Sequence, residues 1–329
     1  MKAVVVREIG RIAVEEVSEP DINPDQLLVK IEACSICSST DLHIIEGSDP
    51  YAKLPCILGH ESVGRVLMTG AEVEGFEAGD RVVGGASDGL RSDELYSCYG
   101  AMAEYGIASP QRAPKLPSSL AAEDAVLAFQ VAECIHGTRI VQIEPTDKVV
   151  ILGQGSIGLL YTQLAREKWA DKIITIDILE RRLEVSRHLG ADLTVNASKA
   201  DPVEEVRSAT NGIGADVVIE AAGTPEALRQ SFRMVRPGGK VLVFGYHVEH
   251  VDRFEAIEFY FREPQVFGVR GFGLTPAVGL ENLRIAIRLI SEKRLQTKPL
   301  ITHILPLSEV KYGFECIMNK SAIKVVLKP

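Results

Sequence analysis

The sequence predicts an α/β protein of two domains, a β-rich one first and a doubly wound parallel sheet after it. Three observations carry that prediction. Strand-like runs crowd residues 1 to about 120; from Lys148 onward strand and helix patterns alternate; and 329 residues exceed one ordinary domain. The boundary is placed between residues 122 and 123, with the parallel-sheet domain running to about 293.

Composition narrows the class before any motif is read. Lys and Arg number 36 against 45 Asp and Glu, a net charge of −9, which argues against an electrostatic nucleic-acid surface. The N-terminal MKAVVVREIG meets Arg7 and Glu8 before an apolar stretch reaches signal-peptide length, and no later run is long enough to span a bilayer. A cytoplasmic chain with no membrane partner is expected. The six cysteines (34, 37, 56, 98, 134 and 316) show no framework spacing, so reduced thiols or metal ligands are expected rather than disulfides.

In the first domain Ala3 to Val6, Ile12 to Val17 and Leu27 to Ile36 are β-branched runs separated by polar or proline-containing turns. Glycines recur between Gly59 and Gly89, as tight turns and bulges in a curved sheet require. Two stretches carry chemistry: Cys34 to His43, and Gly59-His60-Glu61. Thiolate, imidazole and carboxylate form the ligand set of an open zinc site, which keeps a position for water or substrate. Cys34 and Cys37 also fit a redox pair, or inert buried thiols. His60 beside Glu61, shortly after a cysteine-rich turn, favours a metal.

Pro110, Pro114 and Pro117 punctuate the exit, and Leu120 to Ile140 reads as a helix crossing into the second domain. Val149 to Leu152 is then a continuous apolar run, as in a parallel strand buried on both faces. Gly153, Gly155 and Gly158 follow it. The first permits a tight turn, the second lets backbone approach a pyrophosphate, and the third allows a helix to pack closely on the sheet. Free N–H groups at the helix start, Ser156 and Ile157, point at the phosphates. Ile173 to Ile176 is the next strand, and Asp177, nineteen positions beyond Gly158, can accept the hydroxyls of an adenosine ribose. This order of strand, turn, helix, strand and acid predicts a dinucleotide site of the Rossmann type. Arg181 and Arg182 could recruit a 2′-phosphate, but Asp177 would repel one, so NAD is expected over NADP.

The alternation continues with a helix over Leu179 to Leu189, a strand over Asp192 to Asn196, a helix over Val203 to Ala209 and a strand over Asp216 to Glu220. A helix over Pro225 to Met234 and strands over Lys240 to Phe244 and Val266 to Val269 complete six strands. His247 and His250 follow a strand end and could reach cofactor or substrate, although loop histidines commonly have no such role. Leu280 to Ile290 is an amphipathic helix. Leu300 to Leu305, Ser308 to Met318 and Ile323 to Leu327 read strand, helix, strand, with His303 a structural residue.

The segments ICSSTDLH, PCILGHESVGRV, EGFEAGDRV, GAMAEY and GQGSIG, in this order, resemble the zinc-dependent medium-chain dehydrogenase/reductase family over essentially the whole chain. The resemblance implies a GroES-like catalytic domain completed by residues 294–329, a Rossmann domain, and an active site in a cleft between them. It implies that Cys37, His60 and Glu61 hold one catalytic zinc, that Asp41 supports them, and that Thr40 or Ser39 with His43 relays the proton. Lys324 matches a basic position that can contact the cofactor pyrophosphate, beside its plain reading as a solvated tail lysine. Three departures stand out. Three residues rather than two separate Cys37 from Asp41; only Cys98 occupies the region where the family often carries a four-cysteine structural zinc, so none is expected; and Phe129 stands where many relatives have cysteine or glutamate. Gln130, Glu133 or Cys134 could substitute for that ligand, or simply pack in a helix.

The resemblance thus implies a zinc- and NAD-dependent oxidoreductase of polyols, sugar alcohols or related secondary alcohols, assembled as a homodimer or homotetramer through the last strand of the sheet. The rivals are a zinc-free quinone or enoyl reductase and a non-catalytic nucleotide-sensing protein.

Overall fold

The structure, a computed structural model, describes residues 1–84, 96–97, 100–252, 254–271 and 273–329. Cys98 lies outside the described residues, as do the glycines just past Gly84. The chain divides into two compact units: Met1–Phe129 with Thr275–Lys293 and Thr297–Pro329, and Gln130–Leu274 with Arg294–Gln296.

The first unit is a pair of curved sheets. Lys2–Glu8 turns back antiparallel into Arg11–Glu16 through Gly10, whose φ of 77° an L side chain rarely adopts. In the larger sheet Leu27–Ser35 pairs antiparallel with Glu61–Thr69, with register shifts between Leu28 and Val29 and between Ile31 and Ala33. Alternation fixes its faces: Leu27, Val29 and Ile31 are buried while Lys30 is exposed. The C-terminal strand Lys324–Lys328 joins the other edge of Leu27–Ser35, with Val326 opposite Ser35 and Leu327 opposite Cys34. The last strand of the chain therefore lies beside the segment that leads into Cys37.

The single helix expected over Leu120 to Ile140 is two, Ala122–Ala125 and Ala128–Val141. Between them Leu127 N–H bonds to the Asp124 carbonyl three residues back, a tightened turn that apolar periodicity does not register. The helix expected over Leu280 to Ile290 extends over Pro276–Ser291, capped by Thr275, and groups with the first unit, as do residues 123–129. Its buried Leu283, Ala286, Ile287 and Ile290 give an apolar face whose packing partner no periodicity names.

The second unit carries a six-stranded, all-parallel sheet. In space its order is Leu193–Asn196, Lys172–Asp177, Lys148–Leu152, Ala215–Glu220, Val235–Val243 and Gln265–Gly268. The order reverses between Lys148–Leu152 and Ala215–Glu220, the switch point at which such sheets bind ligands beyond their carboxyl ends. The fifth strand begins at Val235 rather than Lys240 because Val235 pairs with Ala215 and Lys240 with Val217, so Pro237-Gly238-Gly239 forms a bulge within the strand.

Candidate active site

Cys37, His60 and Glu61 converge. One donor atom from each lies within 4.8 Å of the others, the only such group of three or more among the described residues. Cys37 follows the end of Leu27–Ser35, and His60 immediately precedes Glu61–Thr69, so paired strands bring the two segments together. Gly59, at φ 101°, makes the turn into His60, where a Cβ would press on the Met102 backbone nitrogen at 2.8 Å.

The surroundings orient each donor. Asp41 is fully buried: Oδ2 accepts the Cys37 N–H at 2.8 Å, and Oδ1, with no hydrogen-bond partner, faces His60 Nδ1 at 4.0 Å. A carboxylate beside Nδ1 favours the tautomer that leaves the Nε2 lone pair for a metal. Glu61 Oε2 is held by the Ser35 hydroxyl and by Lys324 Nζ at 2.5 Å, while Oε1 lies 3.9 Å from His60 Nε2. Lys324 Nζ also donates to the Ile36 carbonyl at 3.0 Å.

The electrostatics match a cation's place. Burial raises the Cys37 thiol, but a hydrogen bond and the charge of His60 outweigh burial and bring it down to about 6. Burial opposes charge on His60 as well, yet its bond to Cys37 and the neighbouring carboxylates hold it up at about 10. Burial pushes Asp41 up to about 7. The surroundings favour the thiolate of Cys37 and a positive charge beside it, and a divalent ion would supply that charge in place of a proton on His60. Donor type and mutual distance fit zinc.

The hydroxyl and imidazole of the expected relay stand on the next turn. Thr40 opens the helix Thr40–Glu46, closed by Gly47 at φ 73°. Ser39 Oγ lies 3.5 Å from Cys37 Sγ, so the longer loop brings Ser39 beside the cluster. His43 Nδ1 is 3.0 Å from Ser48 Oγ and 4.0 Å from Glu46 Oε2.

In the second unit the three glycines do what their spacing predicts. Gly153 sits at φ 87° with the Ala222 backbone 2.8 Å from where a Cβ would be; a Cβ on Gly158 would overlap the Gly153 carbonyl; Gly155 has open space. The helix Ser156–Glu167 starts at that opening with no side-chain cap, leaving its first N–H groups, including those of Ser156 and Ile157, to a ligand. Asp177, 8 % exposed, accepts the N–H groups of Gln154 at 2.7 Å and Leu179 at 2.9 Å. Arg182 Nη1 is 3.9 Å from the same carboxylate. These residues fit a dinucleotide whose ribose hydroxyls meet Asp177.

The remaining candidates are placed as follows. Lys324 is no solvated tail residue, since it is 1 % exposed and bound to Glu61. A lysine inside the apolar run IKVVL was the signal of a buried partner. Ser35, which steadies the same carboxylate, carried no signal. Cys134 turns its thiol towards the Ile157 carbonyl at 4.0 Å, and burial raises it far above a reactive range. Gln130 is buried with Oε1 unpartnered, and Phe129 packs on Gly84.

Known proteins place this geometry. Residues 23–118 match the alcohol dehydrogenase GroES-like domain, and residues 156–292 match the zinc-binding dehydrogenase family. The chain is 31% identical to an alcohol dehydrogenase of Cupriavidus necator over 100% of this chain and 99% of that one. The chain belongs to the zinc-type medium-chain dehydrogenase/reductase family. It is also 31% identical to a sorbitol dehydrogenase of Halalkalibacterium halodurans, again over 100% of this chain and 99% of that one. A solved structure from Sinorhizobium meliloti 1021, described as a zinc-binding dehydrogenase and bound to NADP, superposes with a TM-score of 0.86 at 30% identity over 100% of this chain and 99% of that one. The protein is an alcohol oxidoreductase with a GroES-like domain and a Rossmann sheet. No helix among the described residues is long and apolar enough to cross a membrane.

Proposed function

We propose that this chain is a zinc-dependent dehydrogenase that moves a hydride between NAD and a polyol, sugar alcohol or related secondary alcohol. The convergence of Cys37, His60 and Glu61 carries the reading. Bound to these donors, zinc supplies Lewis acidity towards the substrate oxygen. Bound at the glycine turn, NAD supplies the hydride acceptor.

The chain's own residues do the rest. Asp41 sets the His60 tautomer, and Ser35 with Lys324 holds one oxygen of Glu61 while the other faces the cluster. Ser39 is the hydroxyl placed to take the substrate's proton, and His43 the residue that passes it outward. Asp177 receives the ribose hydroxyls and disfavours a 2′-phosphate.

Metal analysis of purified protein together with an NAD-linked screen of alcohols, polyols and sugars tests the reading. One zinc per chain and NAD reduction by a secondary alcohol are expected. Phe129, packed on Gly84 where relatives often carry a ligand, supports the rival of a zinc-free reductase. That rival requires metal-free protein active with NADPH on quinones or enones.

We also assign a homo-oligomer to the sheet edge. Gln265–Gly268 pairs on one side only among the described residues, and Val266, Ile257, Tyr260 and Phe261 are 42%, 60%, 72% and 70% exposed. An unpaired strand beside an apolar face fits a second copy of the same chain.

A further inference from the structure

Glu220 ends the fourth strand of the parallel sheet and is fully buried. Its side chain gathers three donors. Oε1 accepts the N–H groups of Ala222 at 2.9 Å and Gly223 at 2.8 Å, and Oε2 lies 2.8 Å from Nε2 of His247, in the loop after the fifth strand. Its backbone carbonyl accepts from Phe244 at 2.9 Å and Gly245 at 3.0 Å. One residue therefore ties the loop after the fourth strand to the loop after the fifth.

The two loops are built for that contact. A Cβ on Gly245 would stand 2.5 Å from both Glu220 Oε2 and Gly223 Cα, so only glycine lets them close on the carboxylate. The fourth-strand loop in turn braces the phosphate turn: the Ala222 backbone packs on Gly153, and Ala221 N–H bonds to the Leu152 carbonyl at 2.9 Å. These loops stand at the carboxyl ends of the strands on the second side of the switch point, the half that receives the second nucleotide of a dinucleotide.

The chemistry of the pair is directional. With Oε1 occupied by two backbone N–H groups, Oε2 faces Nε2 of His247, and an N–H on Nε2 donates to it. His247 Nδ1 is buried with no hydrogen-bond partner. The polar contact that the ring makes is the one from Nε2 to the Glu220 carboxylate.

We propose that Glu220 and His247 are positioning residues for the nicotinamide half of the cofactor, acting by locking the two loops together rather than by touching the adenosine half. The proposal rests on the reading of this unit as the NAD site. The test measures NADH and AMP binding to the full-length wild type and to His247→Leu and His247→Gln by calorimetry. His247→Leu removes the donor to Glu220, so NADH binding should weaken by about ten-fold while AMP binding stays within about two-fold, consistent with the size of a hydrogen bond to a charged group. His247→Gln keeps an N–H donor and should restore most of the NADH affinity. An unchanged ratio of NADH to AMP affinity in His247→Leu, or an equal loss of both, overturns the proposal while leaving the cofactor site standing. Wild-type protein that binds neither nucleotide overturns the cofactor reading and this inference with it.

Discussion

Lys324 Nζ stands 2.5 Å from Glu61 Oε2, and each side chain is 2 % exposed. The contact links the last strand of the chain to the cluster of Cys37, His60 and Glu61. An ammonium and a carboxylate at this depth are each costly alone and tolerable together. Lys324→Met should therefore destabilise the metal-free protein by about 3–5 kcal/mol, the range for breaking a buried pair on one side. Combining it with Glu61→Gln should recover much of that loss. Urea unfolding of the two single variants and the double variant measures the coupling; additive losses would mean that the pair does not act as a unit.

Cys37 and His60 supply the thiolate and imidazole of the cluster, so the metal should depend on both. About one zinc per chain is expected by elemental analysis, falling well below that in Cys37→Ser and in His60→Ala. Two zincs per chain, or none after chelator-free purification, would rule out a single catalytic ion.

Asp177 Oδ2 is bonded to the Gln154 N–H of the glycine turn and Oδ1 to the Leu179 N–H of its own loop. NAD should be preferred over NADP in kcat/KM. Asp177→Asn keeps the shape and removes the charge, and should narrow that preference by about ten-fold, the scale of one charge-assisted bond. A wild type that prefers NADP would show that Arg181 and Arg182 dominate the site.

Residues Tyr260 and Phe261 are mostly exposed on the helix Ala256–Arg262, which buries none of its residues. Light scattering should find a dimer or tetramer, and Tyr260→Asp with Phe261→Asp should shift it towards monomer. A monomeric wild type would assign that apolar face to something else.

What could be read in advance divides by physical cause. The parallel sheet was legible because each strand buried on both faces leaves a continuous apolar run, and because the turn at Gly153 and the close packing at Gly158 each forbid a side chain. The convergence of Cys37, His60 and Glu61 was legible because they lie in two short segments of unusual composition. Ser35 and Glu220 were not, nor was the partner of Lys324, since these roles depend on strand pairing: Lys324 reaches Glu61 only because Val326 pairs with Ser35. The Leu120 to Ile140 break was hidden for a related reason, because a tightened turn leaves apolar spacing almost unchanged.

The last expectation concerns the proton, and begins from Ser39 Oγ lying 3.5 Å from Cys37 Sγ while Thr40 opens the following helix. An alcohol being oxidised must lose its hydroxyl proton as the hydride leaves. A side-chain hydroxyl at the cluster can accept it only by handing on its own, and His43, partly exposed with Nδ1 at Ser48, is the imidazole of the following helix. Ser39→Ala should lower the rate of alcohol oxidation by about 10²-fold, the lower end for a positioned proton-transfer group, with zinc content unchanged. Thr40→Ala should cost much less; a larger loss there than in Ser39→Ala would move the role to Thr40. His43→Gln should cost less than Ser39→Ala, because water can replace a terminal relay member. Its deficit should be greatest near neutral pH and shrink as hydroxide rises and takes over the final transfer. If the pH profile of His43→Gln overlays that of the wild type, His43 stands outside the proton path and serves only to hold the turn at Ser48.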